Sequence, residues 1–450
     1  MPTTIDRRRF LQQTSMLGAG WIAACHTSSL QGTESTSPLE RLNIAAVGTQ
    51  GRAGKNLHRV SDQNIVALAD TSQICLEQAG ATYPEARRYR DFRVMLEKEA
   101  DKIDAVLVGC ADHTHAPAAA MAMRLKKHVY CEKPLTHTVY EARVLARLAQ
   151  DNQLVTQMGT QVHAGNNYRR VVELVQSGAI GEIREVHVWV PVDYSNRRLI
   201  TSNPAPADID WDLWLGPSPA RPYCECIDAF NSEGKVAPIH RFNWRWFWDY
   251  GTGGLGDFGC HYMDLVHWAL QLKHPTSISA TGPKPFLVGT SSGIEVTYEH
   301  PARGELSPVT LTWYDGGKQP EILATLRDGQ GNPLTWPSGQ LFVGADGMII
   351  SDYGKHQLLP VERFADFQRP EPSIPTSIGH HKEWVEAIKQ GGTTTCNFDY
   401  SGALTEAVLL GVASYRSGEA IEWDAENLKV TNSPEAQQFI HKEYRAGWTL

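Results

Sequence analysis

The segment Tyr130-Cys131-Glu132-Lys133-Pro134-Leu135 lies between a short apolar stretch and a helical pattern that spans Val139 to about Asp151. We therefore predict that Lys133 follows a strand, at the sheet edge where open α/β proteins bind their ligands. Pro134 disfavours helical backbone angles at the preceding residue, so the lysine is expected on an extended turn. A solvated lysine in an ordinary turn is the alternative for this segment alone.

The beginning of the first domain resembles a dinucleotide-binding unit. Residues 42–47 and 65–69 have strand patterns, residues 48–54 form a glycine-rich turn into a helix, and Asp70 ends the second strand. Such a turn binds pyrophosphate through backbone amides, and the acid binds a ribose hydroxyl. Gln50 and Ala53 stand where the motif has its second and third glycines. The predicted cofactor contacts here are Gly48, Gln50, Gly51, Arg52 and Asp70.

Asp70 also indicates which cofactor is bound, because a carboxylate at this position repels the additional phosphate of NADP. We therefore predict NAD, with NADP disfavoured. Beyond Asp70 the α/β alternation continues with a strand at Ala105–Val108 and its exit loop at 109–115. His113 or His115 is expected to line the cleft unless it is merely solvated, and we assign His115, Glu132 and Lys133 to the cofactor site.

The second part of the chain has a different pattern. A helix from Asn166 to about Ser177 leads into a strand at 183–190, and further strands are predicted at 294–298, 309–313, 340–343 and 348–351. We predict a Rossmann domain over 41–161 and an α+β domain over 162–450 with a large, mostly antiparallel open sheet. The tryptophan-rich segment between these strands is suited either to sugar stacking or to the core, and the sequence leaves this open: Trp211, Trp214, Trp244, Trp246 and Trp248.

Residues 253–264 contain several glycines followed by charged residues with helical spacing. We predict a helix that starts near Asp257, with Asp257 as its cap, and ends near Leu272. Asp257, His261, Asp264 and His267 then form one polar stripe on an otherwise apolar helix. A buried stripe of this kind needs partners or a function, and a carboxylate one turn from a histidine can orient the imidazole.

The glycine turn with Asp70, the Glu132-Lys133-Pro134 motif and the pattern from Asp257 to Asp264 together resemble the Gfo/Idh/MocA oxidoreductases. The resemblance implies that Lys133 is a catalytic lysine and that Asp257 and His261 are a catalytic pair. It also implies a Rossmann domain beside an open-sheet domain that often forms an oligomer interface, so a homodimer or homotetramer is expected. The predicted substrate contacts are Lys133, His163, Tyr168, Asp257 and His261.

The resemblance implies NAD-dependent oxidation of a hydroxyl carbon in a sugar, polyol or glycoside. In this hypothesis His261 takes the hydroxyl proton, Asp257 holds the histidine tautomer, and Lys133 polarises the oxygen. One alternative is an NAD-dependent glycosidase that works by transient oxidation and elimination. Another is a non-enzymatic glycan-binding or scaffold protein on a decayed Rossmann frame.

Residues 1–40 are interpreted as an export signal and linker. Arg7-Arg8-Arg9-Phe10-Leu11 matches a twin-arginine signal, and 22–25 resembles a lipoprotein cleavage site that ends at Cys25. We therefore expect a periplasmic protein that is anchored to a membrane by a lipid on Cys25 and does not span it. A disordered basic tail is the alternative.

Composition excludes other classes of function. The formal net charge is −8, the isoelectric point is near 6.1, and no basic run is long enough for nucleic-acid binding. Of the eight cysteines, seven remain if Cys25 is lipidated, an odd number that cannot pair completely. Cys224 and Cys226 are spaced like metal ligands, but no second cluster completes a site, so no metal is predicted.

Overall fold

The computed structural model describes residues 40–195, 197–201, 204–227 and 236–450. The predicted twin-arginine signal and Cys25 lie outside the described residues. Within the described ranges no helix is both long and apolar enough to cross a membrane.

The first domain is built on a six-stranded parallel sheet with strand order β3-β2-β1-β4-β5-β6. This order reverses between β1 and β4, and ligands bind in the crevice outside the strand ends at such a reversal. The strands are β1 Asn43–Val47, β2 Asn64–Ala69, β3 Arg87–Tyr89, β4 Ala105–Val108, β5 His128–Cys131 and β6 Thr156–Met158. The helices are α1 Arg52–Arg59, α2 Gln73–Thr82, α3 Phe92–Glu99, α4 Asp112–Arg124 and α5 Val139–Asp151.

The sequence of this domain explains why its central strand is buried and where its helix α5 begins. β4 is apolar at every position and fully buried, as expected for a central strand covered on both faces. The helix α5 has the predicted bounds, and it begins with a capping box in which Thr138 and Glu141 satisfy each other's backbone amides. These observations confirm the predicted Rossmann architecture.

The second domain contains a nine-stranded sheet with order β16-β15-β14-β7-β13-β12-β11-β17-β18. Only β7 and β13 pair in parallel, so the sheet is mixed and mostly antiparallel, as predicted. A separate three-stranded sheet has order β10-β9-β8. The strands are β7 Ile183–Trp189, β8 Leu199–Thr201, β9 Cys224–Ile227, β10 Val236–Pro238, β11 Ser277–Thr281, β12 Glu295–His300, β13 Val309–Tyr314, β14 Gly339–Gly344, β15 Gly347–Ser351, β16 His356–Leu359, β17 Ile421–Asp424 and β18 Lys429–Val430.

The helices of the second part are α6 Asn166–Gln176, α7 Trp211–Leu215, α8 Gly253–Ala269, α9 His380–Gln390, α10 Phe398–Ser417 and α11 Pro434–Gln437. The predicted start of α8 at Asp257 was wrong, because the helix begins four residues earlier and Asp257 lies in its second turn. The glycines belong to the helix. A Cβ on Gly256 would lie 1.8 Å from the hydroxyl oxygen of Thr252, so this helical position requires glycine. A Cβ on Gly259 would lie 2.9 Å from Val408 of α10.

The C-terminal helices return to the first domain. Trp384 of α9 is fully buried in a hydrophobic cluster with Ile44 and Tyr130 of the parallel sheet. Helix α10 packs against both α5 and α8. The segment that carries Asp257 and His261 is therefore held against the carboxyl edge of the first sheet by residues far away in the chain.

Candidate active site

A cavity of about 880 Å³ lies at the carboxyl edge of the parallel sheet. Both parts of the chain contribute to its wall. The sequence-predicted residues that line it are Gly48, Gln50, Gly51, Arg52, Asp70, His115, Glu132, Lys133, Asp257 and His261. Residues 133 and 261 thus share one cavity with the glycine turn.

The glycine turn has the backbone geometry of an anion-binding loop. Gly48 has a φ of 87°, and a Cβ there would lie 3.0 Å from the backbone of Gly109 and Cys110. Gly51 precedes α1 with a φ of 61°, and no side chain caps the helix. No side chain therefore caps the first backbone amides of α1. A pyrophosphate binds to amides that are left uncapped in this way.

The two departures from the glycine motif do not block this turn. Gln50 is exposed at the rim of the cavity. Ala53 is fully buried against Gly109, where an added Cβ would lie only 2.8 Å from the Cβ of Ala53. The helix α1 and the exit of β4 therefore still pack closely. The glycine that this contact needs is Gly109 after the strand, and the helix position is Ala53.

Asp70 holds the glycine turn in place. Its Oδ2 accepts hydrogen bonds from the backbone N and the hydroxyl of Thr49, both at 2.9 Å, and its Oδ1 accepts one from Ser72 N at 2.9 Å. Burial raises the pKa of Asp70 despite these hydrogen bonds. The carboxylate lines the cavity beside the turn, where the fold binds a ribose.

Glu132 connects the end of β5 to α1. Its Oε1 accepts hydrogen bonds from Asn56 Nδ2 and Gln161 Nε2, both at 2.7 Å. Burial raises the pKa of Glu132, and the Asn56 hydrogen bond partly opposes this. Because its donors come from α1 and from the segment that follows β6, Glu132 is held in place next to Lys133.

Lys133 and Asp257 form a buried ion pair in the cavity. Lys133 Nζ donates to Asp257 Oδ1 and also to the Asp257 backbone oxygen at 2.8 Å. Tyr194 donates its hydroxyl to Asp257 Oδ2 at 2.8 Å, and Arg245 Nε lies 3.6 Å from Oδ1. Burial opposes ionisation of Asp257, but Lys133 and Arg245 outweigh it and hold its pKa well below the usual value.

His261 is half-buried in the cavity wall, one turn after Asp257. Burial, assisted by the charge of Lys133, lowers the pKa of His261 to about 3. The ring is therefore neutral at physiological pH. Its Nδ1 has no hydrogen-bond partner in the part of the chain that the structure describes.

The predicted Asp257–His261 hydrogen bond is not present between these two described residues. The carboxylate of Asp257 is directed to Lys133 and Tyr194 instead. An ammonium group and a phenol offer stronger or better-placed donors than an imidazole on the same helix. The structure thus assigns Asp257 to orienting Lys133, and the tautomer of His261 is not held by Asp257.

The ring nitrogens of His113 and His115, in the first turn of α4, contact backbone oxygens. His115 lines the cavity, but its Nδ1 contacts the Pro134 oxygen at 2.8 Å and its Nε2 the Cys110 oxygen at 3.1 Å. The ring thus supports the Lys133 turn, and its contact with the cofactor stays a prediction. His113 is buried against Trp214 and does not line this cavity.

The predicted substrate contacts of His163 and Tyr168 were wrong. Both side chains are buried and neither lines the cavity. His163 Nδ1 is 2.9 Å from Asp264 Oδ1, and Tyr168 donates to the backbone oxygen of His261 at 3.1 Å. Both residues contact α8 outside the cavity. The hydrogen-bonded aspartate–histidine pair of this region is therefore His163–Asp264.

The cavity residues that the sequence did not indicate include Asp112, Tyr194 and Arg245. Asp112 begins α4 in the strand-exit loop, in which only the histidines were predicted to act. Arg245 lies in the tryptophan-rich segment, with its guanidinium 4.1 Å from the Trp244 ring centroid. Of that segment, Trp214 and Trp244 line the cavity and Trp246 belongs to the adjacent core.

One group of three possible metal ligands occurs among the described residues, namely His163, Asp264 and Cys396. The Asp264 carboxylate already accepts hydrogen bonds from His163 and from Tyr400, so we assign no metal there. The absence of a metal stays a prediction. Of the seven cysteines among the described residues, five are buried.

Comparison with known proteins agrees with this arrangement. Residues 42–160 match the model of an oxidoreductase family with an NAD-binding Rossmann fold, and residues 169–307 match that family's C-terminal α/β domain. The chain is similar to myo-inositol 2-dehydrogenase of Thermotoga maritima, with 24% identity over 38% of this chain and 48% of the relative. It is also similar to inositol 2-dehydrogenase of Rubrobacter xylanophilus, with 34% identity over 32% of this chain and 42% of that relative.

The chain thus spans less than half the length of these curated relatives. A solved structure of levoglucosan dehydrogenase with NADH and L-sorbose has the same fold, with a TM-score of 0.54 and 15% identity over 85% of this chain and 99% of that one. The two matched domains of one family together cover more than half of this sequence. This chain therefore belongs to the Gfo/Idh/MocA oxidoreductase family.

Proposed function

We propose that this protein is an NAD-dependent oxidoreductase that acts on a hydroxyl carbon of a sugar, polyol or glycoside. The observation that carries the proposal is that Lys133 and His261 line the same cavity as the glycine turn and Asp70. The family models and the dehydrogenase names of the matched relatives agree with it.

The cofactor half of the cavity suits NAD. The uncapped amides that follow Gly51 would hold the pyrophosphate, and Asp70 would bind the ribose. NAD supplies the hydride acceptor when it is bound. Asp70 also argues against NADP, since a phosphate on the ribose would meet a partly buried carboxylate.

The reaction half of the cavity contains a charged donor and a neutral base. Lys133, oriented by Asp257, donates a hydrogen bond to the substrate hydroxyl oxygen and stabilises the negative charge that develops there. His261 accepts the hydroxyl proton, because its imidazole is neutral. Asp257 fixes the position of Lys133, and Tyr194 in turn fixes the carboxylate of Asp257.

Replacing Asp70 by alanine is expected to weaken NAD binding about tenfold or more, because a ribose contact and the support of Thr49 are lost together. Titration of NAD by fluorescence measures the dissociation constant. Asp62→Ala removes an exposed acid and serves as the control. An unchanged dissociation constant in Asp70→Ala would remove Asp70 from the cofactor site.

The proposal is tested by assaying the purified protein with NAD and a panel of D-glucose, myo-inositol, levoglucosan and aryl glycosides. Substrate-dependent NADH accumulation supports a dehydrogenase. Release of the aglycone without net NADH would favour the glycosidase that works by transient oxidation. Failure to bind NAD at all would favour the non-enzymatic glycan-binding hypothesis and overturn the proposal.

We also propose that the protein is exported by the twin-arginine route and anchored in the periplasm through lipidated Cys25. The support is the sequence of residues 7–11 and 22–25, and the fact that this route carries folded, cofactor-loaded proteins. Cell fractionation tests this with the variant Cys25→Ser, which should move the protein from the membrane to the soluble periplasmic fraction.

A homodimer or homotetramer is proposed on the basis of the family resemblance and the large open sheet of the second domain. Light scattering of the purified protein measures its mass. A mass of about one chain, 49.9 kDa, at micromolar concentration would contradict this.

A further inference from the structure

Asp112 is a buried acid whose hydrogen bonding is incomplete. Its side chain is 2% exposed, it stands at the start of α4, and it lines the active-site cavity. Its Oδ2 has no hydrogen-bond partner among the described residues. A buried polar atom without a partner destabilises a protein, so an atom of this kind in a ligand cavity indicates that the ligand supplies the partner.

The charged neighbours of Asp112 belong to the reaction half of the cavity. Its main electrostatic partners are Arg245, Asp257 and Lys133. Burial raises the pKa of Asp112 well above its usual value, and the two cations only partly oppose this. The carboxyl group is therefore suited to a hydrogen bond with an uncharged group, and it does not need a cation from the ligand.

We propose that Asp112 is a substrate-binding residue whose carboxyl group hydrogen-bonds a second hydroxyl of the substrate, close to the hydroxyl held by Lys133 and His261. This inference rests on the proposed function and adds that a second hydroxyl group near the oxidised carbon is required for efficient turnover. A carboxyl group both accepts from and donates to hydroxyls according to its protonation, whereas an isolated alcohol offers no second group for it.

A contact with the nicotinamide carboxamide is the competing assignment. The electrostatic interaction of Asp112 with Arg245 and Lys133, which line the cavity and both contact Asp257, favours the substrate. The two assignments differ in what a mutation changes. Loss of a substrate contact leaves NAD binding intact, whereas loss of a carboxamide contact weakens it.

The test compares the wild type, Asp112→Ala and Asp112→Asn with NAD and the best sugar of the panel, together with that sugar's mono-deoxy analogues. We expect kcat/KM of Asp112→Ala to fall about 10- to 100-fold on the full sugar. On the analogue that lacks the contacted hydroxyl, the wild type and Asp112→Ala should be equal within about twofold. Asp112→Asn keeps the shape and hydrogen-bonding capacity, so it should retain most of the activity and show that the site folds.

NAD dissociation constants should stay within about twofold of the wild type in both variants, and Asp62→Ala is the matched control for loss of an acid. Equal losses on the full sugar and on every analogue, or weaker NAD binding in Asp112→Ala, would overturn the inference while the proposed function stands. Absence of turnover by the wild type would overturn the proposed function and this inference with it.

Discussion

Replacing Lys133 by methionine is expected to lower kcat about a hundred- to ten-thousandfold, because the hydroxyl oxygen loses its charged hydrogen-bond donor. The change also leaves the carboxylate of Asp257 without its main partner, in a position where the side chain is 7% exposed. Removing one partner of a buried ion pair costs about 3 to 5 kcal/mol of unfolding free energy. Arg245 and Tyr194 still contact Asp257, so the lower end of that range is expected.

The catalytic and stabilising roles of Lys133 are separated by a second variant. In Lys133→Met/Asp257→Asn the buried negative charge is absent, so much of the stability measured by urea unfolding should return while turnover stays low. Lys98→Met, at an exposed lysine, is the control. Recovery of turnover in the double variant, or near-normal turnover in Lys133→Met, would contradict the role of Lys133.

Replacing His261 by alanine is expected to lower kcat about a hundred- to ten-thousandfold with an unchanged NAD dissociation constant, because only the proton acceptor is lost. Added imidazole should restore part of the rate by occupying the space that the ring leaves. His441→Ala removes an exposed histidine and is the control. Turnover close to that of the wild type would exclude His261 as the base.

The pH dependence of His261 follows from its low pKa. With a pKa of about 3 the ring stays neutral from pH 8 to pH 5. A plot of kcat/KM against pH should therefore show no decrease near pH 6.5, where an ordinary histidine becomes protonated. The unfolded chain binds a proton near pH 6.5 and the folded chain only near pH 3, so acidification through this window destabilises the fold. His261→Ala should lose less stability than the wild type between pH 7 and pH 5 in urea unfolding.

Much of the fold was predictable because its signals are local. Apolar runs of four to six residues separated by helical patterns indicated the parallel sheet, and α5 has the predicted bounds. The start of α8 was not predictable in this way, since glycine normally ends or avoids helices. Gly256 and Gly259 lie within the helix, where Thr252 and Val408 leave no room for a Cβ. This explains why these helical positions are glycines, and Val408 is far away in the sequence.

The site was predictable only as a set of residues. Lys133, Asp70, Asp257 and His261 were identified from motifs, and they meet in one cavity. Their partners were not identified. Helical spacing indicated an Asp257–His261 pair, but Tyr194 and Lys133 lie 63 and 124 residues from Asp257 in sequence and form its hydrogen bonds instead.

The sequence by itself determined the order of strands and helices, the dinucleotide turn and the identity of the charged groups, because each depends on neighbouring residues. Tertiary structure alone decided which carboxylate meets which cation, why His163 is a support and His261 a cavity residue, and that Asp112 faces the cavity unpaired. Those outcomes depend on burial and on contacts between different segments of the chain, and no local pattern in the sequence predicts them.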